Sequence, residues 1–124
     1  MSSARIDQLL ELARQQIRRV EVDELDDEVA AGALLVDIRP EINRRDEGEL
    51  PGAMVVDRIV LEWRLDPTSP ACLPEATAGR RVILFCNEGY ASSLAAATLV
   101  ELGLRDATDL VGGYRAWATA VGAT

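Results

Sequence analysis

Strands alternate with helices along this chain, which predicts an α/β domain built on a mainly parallel sheet. Two runs carry that reading. Ala33 to Ile38 and Arg81 to Cys86 are almost continuously apolar, as strands covered on both faces must be, and a turn and a helical segment follow each. A third run, Ala107 to Val111, leads into Gly112-Gly113 and a last short helix.

Taken in order, residues 4–17 set Ile6, Leu9, Leu10, Ala13 and Ile17 at helical spacing between Arg and Gln. An amphipathic helix is therefore predicted as an N-terminal extension over residues 1–18, ahead of the domain proper over 19–124. Its apolar stripe either caps the domain or pairs two copies into a homodimer. Val20 to Val22 reads as a short strand. Asp23 is the expected N-cap of a helix reaching Val29 or Ala31 and closed by Gly32. After the first buried strand, Pro40 opens a polar helical segment that stops at Gly48. Pro51-Gly52 signals a turn, and Ala53 to Val56 resumes a strand. Ile59 to Leu65 reads as a helical turn and Asp66 to Pro70 as loop. The second buried strand ends in the small-residue turn Asn87 to Tyr90. A helix then runs from Ala91 or Ser92 to Leu102, with Gly103 at its C′ position.

Composition narrows the chemistry. The 124 residues contain 13 basic side chains, all arginine, with no lysine and no histidine. That excludes a Ser-His-Asp triad, a Cys-His pair, a His-ligated zinc, a P-loop and any Schiff-base lysine. Two cysteines cannot supply a four-cysteine metal site, so neither metal nor cofactor is expected. A formal net charge of −8 repels phosphate backbones and argues against nucleic acid. No run is long enough for a membrane span, and the N-terminal residues lack the apolar core of a leader. Cys72 and Cys86 are then expected as reduced thiols in a cytoplasmic protein.

One turn carries chemistry. In open α/β sheets, ligands sit beyond the carboxyl ends of the strands, where backbone amides and helix N-termini converge. Cys86 falls there. Amides and a helix dipole both favour a thiolate, and Gly89 allows the loop to curl around the sulfur. Read from these residues alone, Cys86 is either a nucleophile or a small buried hydrophobe ending a strand.

A wider pattern adds to this. Leu34-Leu35-Val36-Asp37-Ile38-Arg39, Gly48 to Ala53, the Cys86-to-Ser92 loop, the Ala-rich helix after it, and Asp109 to Trp117 together resemble the rhodanese domain family, in order and spacing, from about Val20 onward. The resemblance implies a five-stranded, mostly parallel sheet flanked by helices. It also implies a sulfurtransferase in which Cys86 takes a sulfane sulfur from a small-molecule or protein persulfide donor, holds it as a persulfide, and passes it to a thiol or another thiophilic acceptor. By the same resemblance, the amides of Asn87, Glu88, Gly89, Tyr90, Ala91 and Ser92 cradle that sulfur.

Many family members carry an arginine five residues after the cysteine, where this chain has Ala91, and a histidine before the Pro-Gly-Ala turn, where it has Glu49. Glu88, two residues from the cysteine, adds a negative charge that opposes a thiolate. Arg58, after the Val55-Val56 strand, is the candidate replacement cation, with Arg64 behind it. Asp37 and Arg39 are expected to pin loops, and Tyr90 to donate to substrate or form a rim. Tyr114 and Trp117 are expected to pack on the sheet, Trp63 on the core or the rim. Two other functions stay open: a catalytically weak or inactive module that binds a partner, and a cysteine phosphatase. The phosphatase would need an arginine six residues after the cysteine, where Ser92 stands.

Overall fold

The computed structural model describes residues 4–122, so residues 1–3 of the predicted extension and residues 123–124 of the predicted domain lie outside it. Four strands form one sheet: β1 (Leu34–Asp37), β2 (Met54–Val55), β3 (Val82–Phe85) and β4 (Ala107–Asp109). Their order is β2-β1-β3-β4, and every pairing is parallel. Six α-helices accompany them: α1 (Arg5–Gln15), α2 (Leu25–Ala30), α3 (Glu41–Glu47), α4 (Leu61–Leu65), α5 (Ala91–Glu101) and α6 (Gly113–Val121).

The continuous apolar runs have a simple cause. Leu34, Val36, Val82 and Leu84 pack with Leu61 and Leu65 of α4 and with Ala95, Ala96 and Leu99 of α5. Leu35, Ile83 and Phe85 pack on the opposite face with Leu25 of α2 and with Tyr114 and Ala118 of α6. Neither face of β1 or β3 meets water, so neither face is polar. Alanines on α5 let the helix lie close to the sheet, and Ala95 and Ala96 are fully buried.

Two expectations are corrected. The sheet has four strands, not five: Val20 makes only a single bridge with Leu110, held by Val20 N–H to Asp109 O and Val111 N–H to Val20 O. The chain leaves the sheet because Val22–Glu24 winds into a 3-10 turn, with the Glu24 carboxylate accepting the Glu21 N–H at 2.9 Å. That box of Glu21 and Glu24 opens the segment, and the N-cap of α2 is Glu24 rather than Asp23. The α1 stripe divides: Ile6 and Leu9 are more than half exposed, while Ala13 is buried where the helix meets α5 and Ile17 packs on the core.

No described helix is long and apolar enough to cross a membrane. Asp37, Cys86 and Asp109 stand at the carboxyl ends of β1, β3 and β4, and there the polar groups converge.

Candidate active site

Cys86 follows the last residue of β3, half-buried, and the loop to α5 folds back over it. Its Sγ accepts the Gly89 N–H at 3.2 Å and the Ser92 N–H at 3.4 Å. Gly89 can do this because its backbone lies at φ +87°, and a Cβ there would come within 2.8 Å of Gly112 N. The Ser92 hydroxyl gives its proton to Asp109 Oδ2 at 2.7 Å, leaving a lone pair for the Cys86 S–H at 3.4 Å.

Helix α6 fixes the loop from behind. Tyr114 N–H donates to the Cys86 carbonyl at 2.9 Å and Arg115 N–H to the Asn87 carbonyl at 3.1 Å. Such close approach needs a bare backbone at Gly113, and the Gly112-Gly113 pair supplies it.

Glu47, at the end of α3, was not singled out by the sequence, yet it organises the outer side of the loop. Its carboxylate accepts from Asn87 Nδ2 at 2.7 Å and from Arg115 Nε at 3.0 Å. The Arg115 hydrogen bond first, and the Asn87 bond second, lower its pKa from 4.5 to about 2. A lowered carboxylate pKa stabilises the fold fully above the unfolded value, and that contribution is lost as pH falls through the folded one. The melting-temperature advantage of wild type over Glu47→Gln should therefore hold from neutral pH down to about 4.5, then shrink toward about 2. A constant gap across that range would show that the Glu47 contacts do not depend on its charge. Arg115 also pairs with Glu88 at 3.3 Å, so the negative charge in the loop has a cation beside it.

Cys86, Asn87, Glu88, Tyr90 and Ala91 share one cleft of about 410 Å³ with Ile38, Arg39, Pro40, Asn43 and Arg58. Arg58 thus reaches the sulfur's cleft, but its Nη1 is bonded to both Glu62 carboxylate oxygens at 3.0 Å. Arg64 does not join them and instead donates to the Ala71 carbonyl. Arg39 is buried, held by Asp37 and lying over the Tyr114 ring at 4.1 Å, and it ties β1 to the Gly48 carbonyl at 2.9 Å. Tyr90 is 58% exposed and forms rim. Glu49 and Trp63 are exposed and outside the cleft lining. Cys72 also lies outside that lining, its S–H directed at the Leu73 and Ala76 carbonyls, and neither cysteine is in a disulfide. Trp117 packs on Tyr114 with ring centroids 5.6 Å apart.

The sequence reading also missed three groups beneath the loop. Asp109 is fully buried and accepts from Ser92, Ser93 and Arg19. Arg19 and Arg14 both donate to the Gly89 carbonyl, at 3.0 and 2.8 Å. These contacts span 70 or more residues, and no local spacing signals them.

The family model for the rhodanese-like domain matches residues 21–120. No curated protein sequence matches the chain. Among solved structures, a protein of unknown function from Rhodopseudomonas palustris, described as a possible tyrosine phosphatase, is 28% identical. It is covered over 98% of this chain and 94% of its own, with a TM-score of 0.85. A human single-domain sulfurtransferase is 27% identical over 82% of this chain and 95% of its own, with a TM-score of 0.69. A rhodanese homologue from Thermus thermophilus is 28% identical over 80% of this chain and 99% of its own, with a TM-score of 0.59.

Proposed function

The chain belongs to the rhodanese-like domain family, and from that premise we propose that it is a sulfurtransferase working through a persulfide on Cys86. The observation that carries this reading is the sulfur's setting: Sγ stands at the carboxyl end of β3 and receives two loop amides, from Gly89 and Ser92. Backbone donors stabilise negative charge on sulfur without a side-chain base, and this chain has no histidine or lysine to serve as one.

The Cys86 thiolate attacks the outer sulfur of a donor persulfide. The donor's S–S bond breaks, its inner thiolate leaves with the electron pair, and a new S–S bond forms on Cys86. An acceptor thiolate or cyanide then attacks the outer sulfur and returns the Cys86 thiolate. No external oxidant or reductant is consumed. Initial rates should follow a ping-pong pattern, with parallel double-reciprocal lines when donor is varied at fixed acceptor concentrations. Intersecting lines would mean that donor and acceptor must bind together, and the covalent intermediate would be rejected.

The donor that fits best carries little negative charge. Glu88 faces the cleft, and the guanidiniums of Arg39 and Arg58 are already paired with Asp37 and Glu62. Arg58→Ala should raise KM for thiosulfate, a dianion, roughly fivefold and change KM for a simple alkyl persulfide, which carries at most one charge, far less. Equal losses with both donors would assign Arg58 to holding α4 through Glu62 instead. A phosphatase is not favoured, because Ser92 occupies the position where that chemistry needs a phosphate-clamping arginine.

A further inference from the structure

We propose that Arg14 and Arg19 are positioning residues of the sulfur site, supplied by the segment that precedes the matched family domain. The proposal rests on the persulfide reading of Cys86. The family match begins at residue 21, so α1 and the turn after it lie outside that match. From there two guanidiniums converge on one acceptor. Arg14 Nη2 and Arg19 Nη2 reach the Gly89 carbonyl oxygen at 2.8 and 3.0 Å, with Ser93 Oγ farther off at 3.3 Å.

Gly89 is the residue whose N–H bonds Cys86 Sγ. Its carbonyl belongs to the next peptide, in which N–H and C=O point in opposite directions. Fixing that carbonyl therefore fixes the Tyr90 N–H as well, in the stretch between the two amides that hold the sulfur. The guanidiniums are themselves anchored. Arg14 Nε donates to Ser93 Oγ at 3.0 Å, and the same guanidinium lies 5.7 Å from the Tyr90 ring centroid. Arg19 makes two bonds to Asp109, at 2.8 and 3.1 Å, and Asp109 in turn holds Ser92 and Ser93.

Charge points the same way. Around the cleft, Arg39 is matched by Asp37, Arg58 by Glu62, and Arg115 by Glu47 and Glu88. Under the loop, Arg19 is paired with Asp109, while Arg14 is bonded to the neutral Ser93 hydroxyl and the Gly89 carbonyl.

Arg14→Ala is the decisive variant, because Asp109 keeps Arg19 and no buried carboxylate is stranded. Amide hydrogen exchange needs no sulfur donor, so it tests the clamp even if the persulfide reading fails. Exchange at Gly89 and Ser92 should accelerate about tenfold, while Val36 in β1 and Leu84 in β3 stay unchanged. The rate constant for transfer should fall about tenfold with little change in donor KM. Added guanidinium ion, well below denaturing concentration, should restore part of that rate in Arg14→Ala and none in wild type. Unchanged loop exchange would overturn the proposal. So would uniform acceleration through β3, which would make Arg14 an ordinary fold contact. A wild-type protein that never loads sulfur would instead overturn the persulfide reading.

Discussion

Cys86→Ser is expected to reduce sulfur transfer by about 10⁴-fold or more while the protein stays folded. A serine hydroxyl can still accept the Gly89 and Ser92 N–H groups that now reach Sγ at 3.2 and 3.4 Å. It cannot form the S–S bond on which the reaction turns. Thiocyanate formation from a persulfide donor and cyanide measures the loss, and a melting curve shows that the fold survives. Cys72→Ser is the control. Its sulfur donates to the Leu73 and Ala76 carbonyls, a serine hydroxyl can do the same, and transfer should stay within about twofold of wild type. Loss of activity in both variants would mean that the two cysteines act together.

Gly113→Ala should cost both stability and activity. The residue lies at φ +63°, where an alanine is disfavoured by about 1–2 kcal/mol. Its Cβ would also stand 2.5 Å from the Cys86 carbonyl oxygen and 2.8 Å from the Asn87 carbonyl carbon, both backbone atoms that cannot rotate away. Strain and clash together should destabilise the protein by about 3 kcal/mol, lowering the melting temperature by roughly 10 °C. The same shift pulls the α6 amides from the Cys86 and Asn87 carbonyls, so transfer should fall even at temperatures where the variant is folded. Gly32→Ala separates the two effects. Gly32 has φ +109° but nothing within 4 Å of an added Cβ, so this variant should lose stability only and keep wild-type transfer. Equal activity losses in the two variants would show that general instability, not loop displacement, lowers the rate.

The sheet was legible because burial on both faces writes itself into the sequence as unbroken apolar runs at β1 and β3. The fifth strand was misread for an equally local reason. Val20-Glu21-Val22 alternates as a strand should, but the Glu21–Glu24 box closes a 3-10 turn and leaves one bridge at Val20. On α1, helical spacing gave the helix, whose stripe runs from exposed Ile6 and Leu9 to buried Ala13. Buried Ala13 and the polar reach of Arg14 tie the helix to the rest of the fold.

The same contrast holds at the site. Cys86, its loop and the Gly112-Gly113 pair are contiguous motifs. Asp109, Arg14 and Arg19 are joined to that loop only through space, whereas chain order, with Arg58 just after a strand, points to the cleft that Arg58 lines. Chain spacing also suggests Glu62 as a partner for Arg58, and the two form an i,i+4 pair. Arg14 and Arg19, which hold the Gly89 carbonyl from beneath, come from the N-terminal end of the sequence.

The most direct test is a peptide-mapped mass spectrum of the protein after incubation with a low-molecular-weight persulfide and removal of the excess. One added sulfur atom should map to the peptide containing Cys86, be absent from Cys86→Ser, and be released as thiocyanate by cyanide. The account is contradicted if thiosulfate, 3-mercaptopyruvate and the persulfide all leave Cys86 at its unmodified mass while the same folded protein alkylates there.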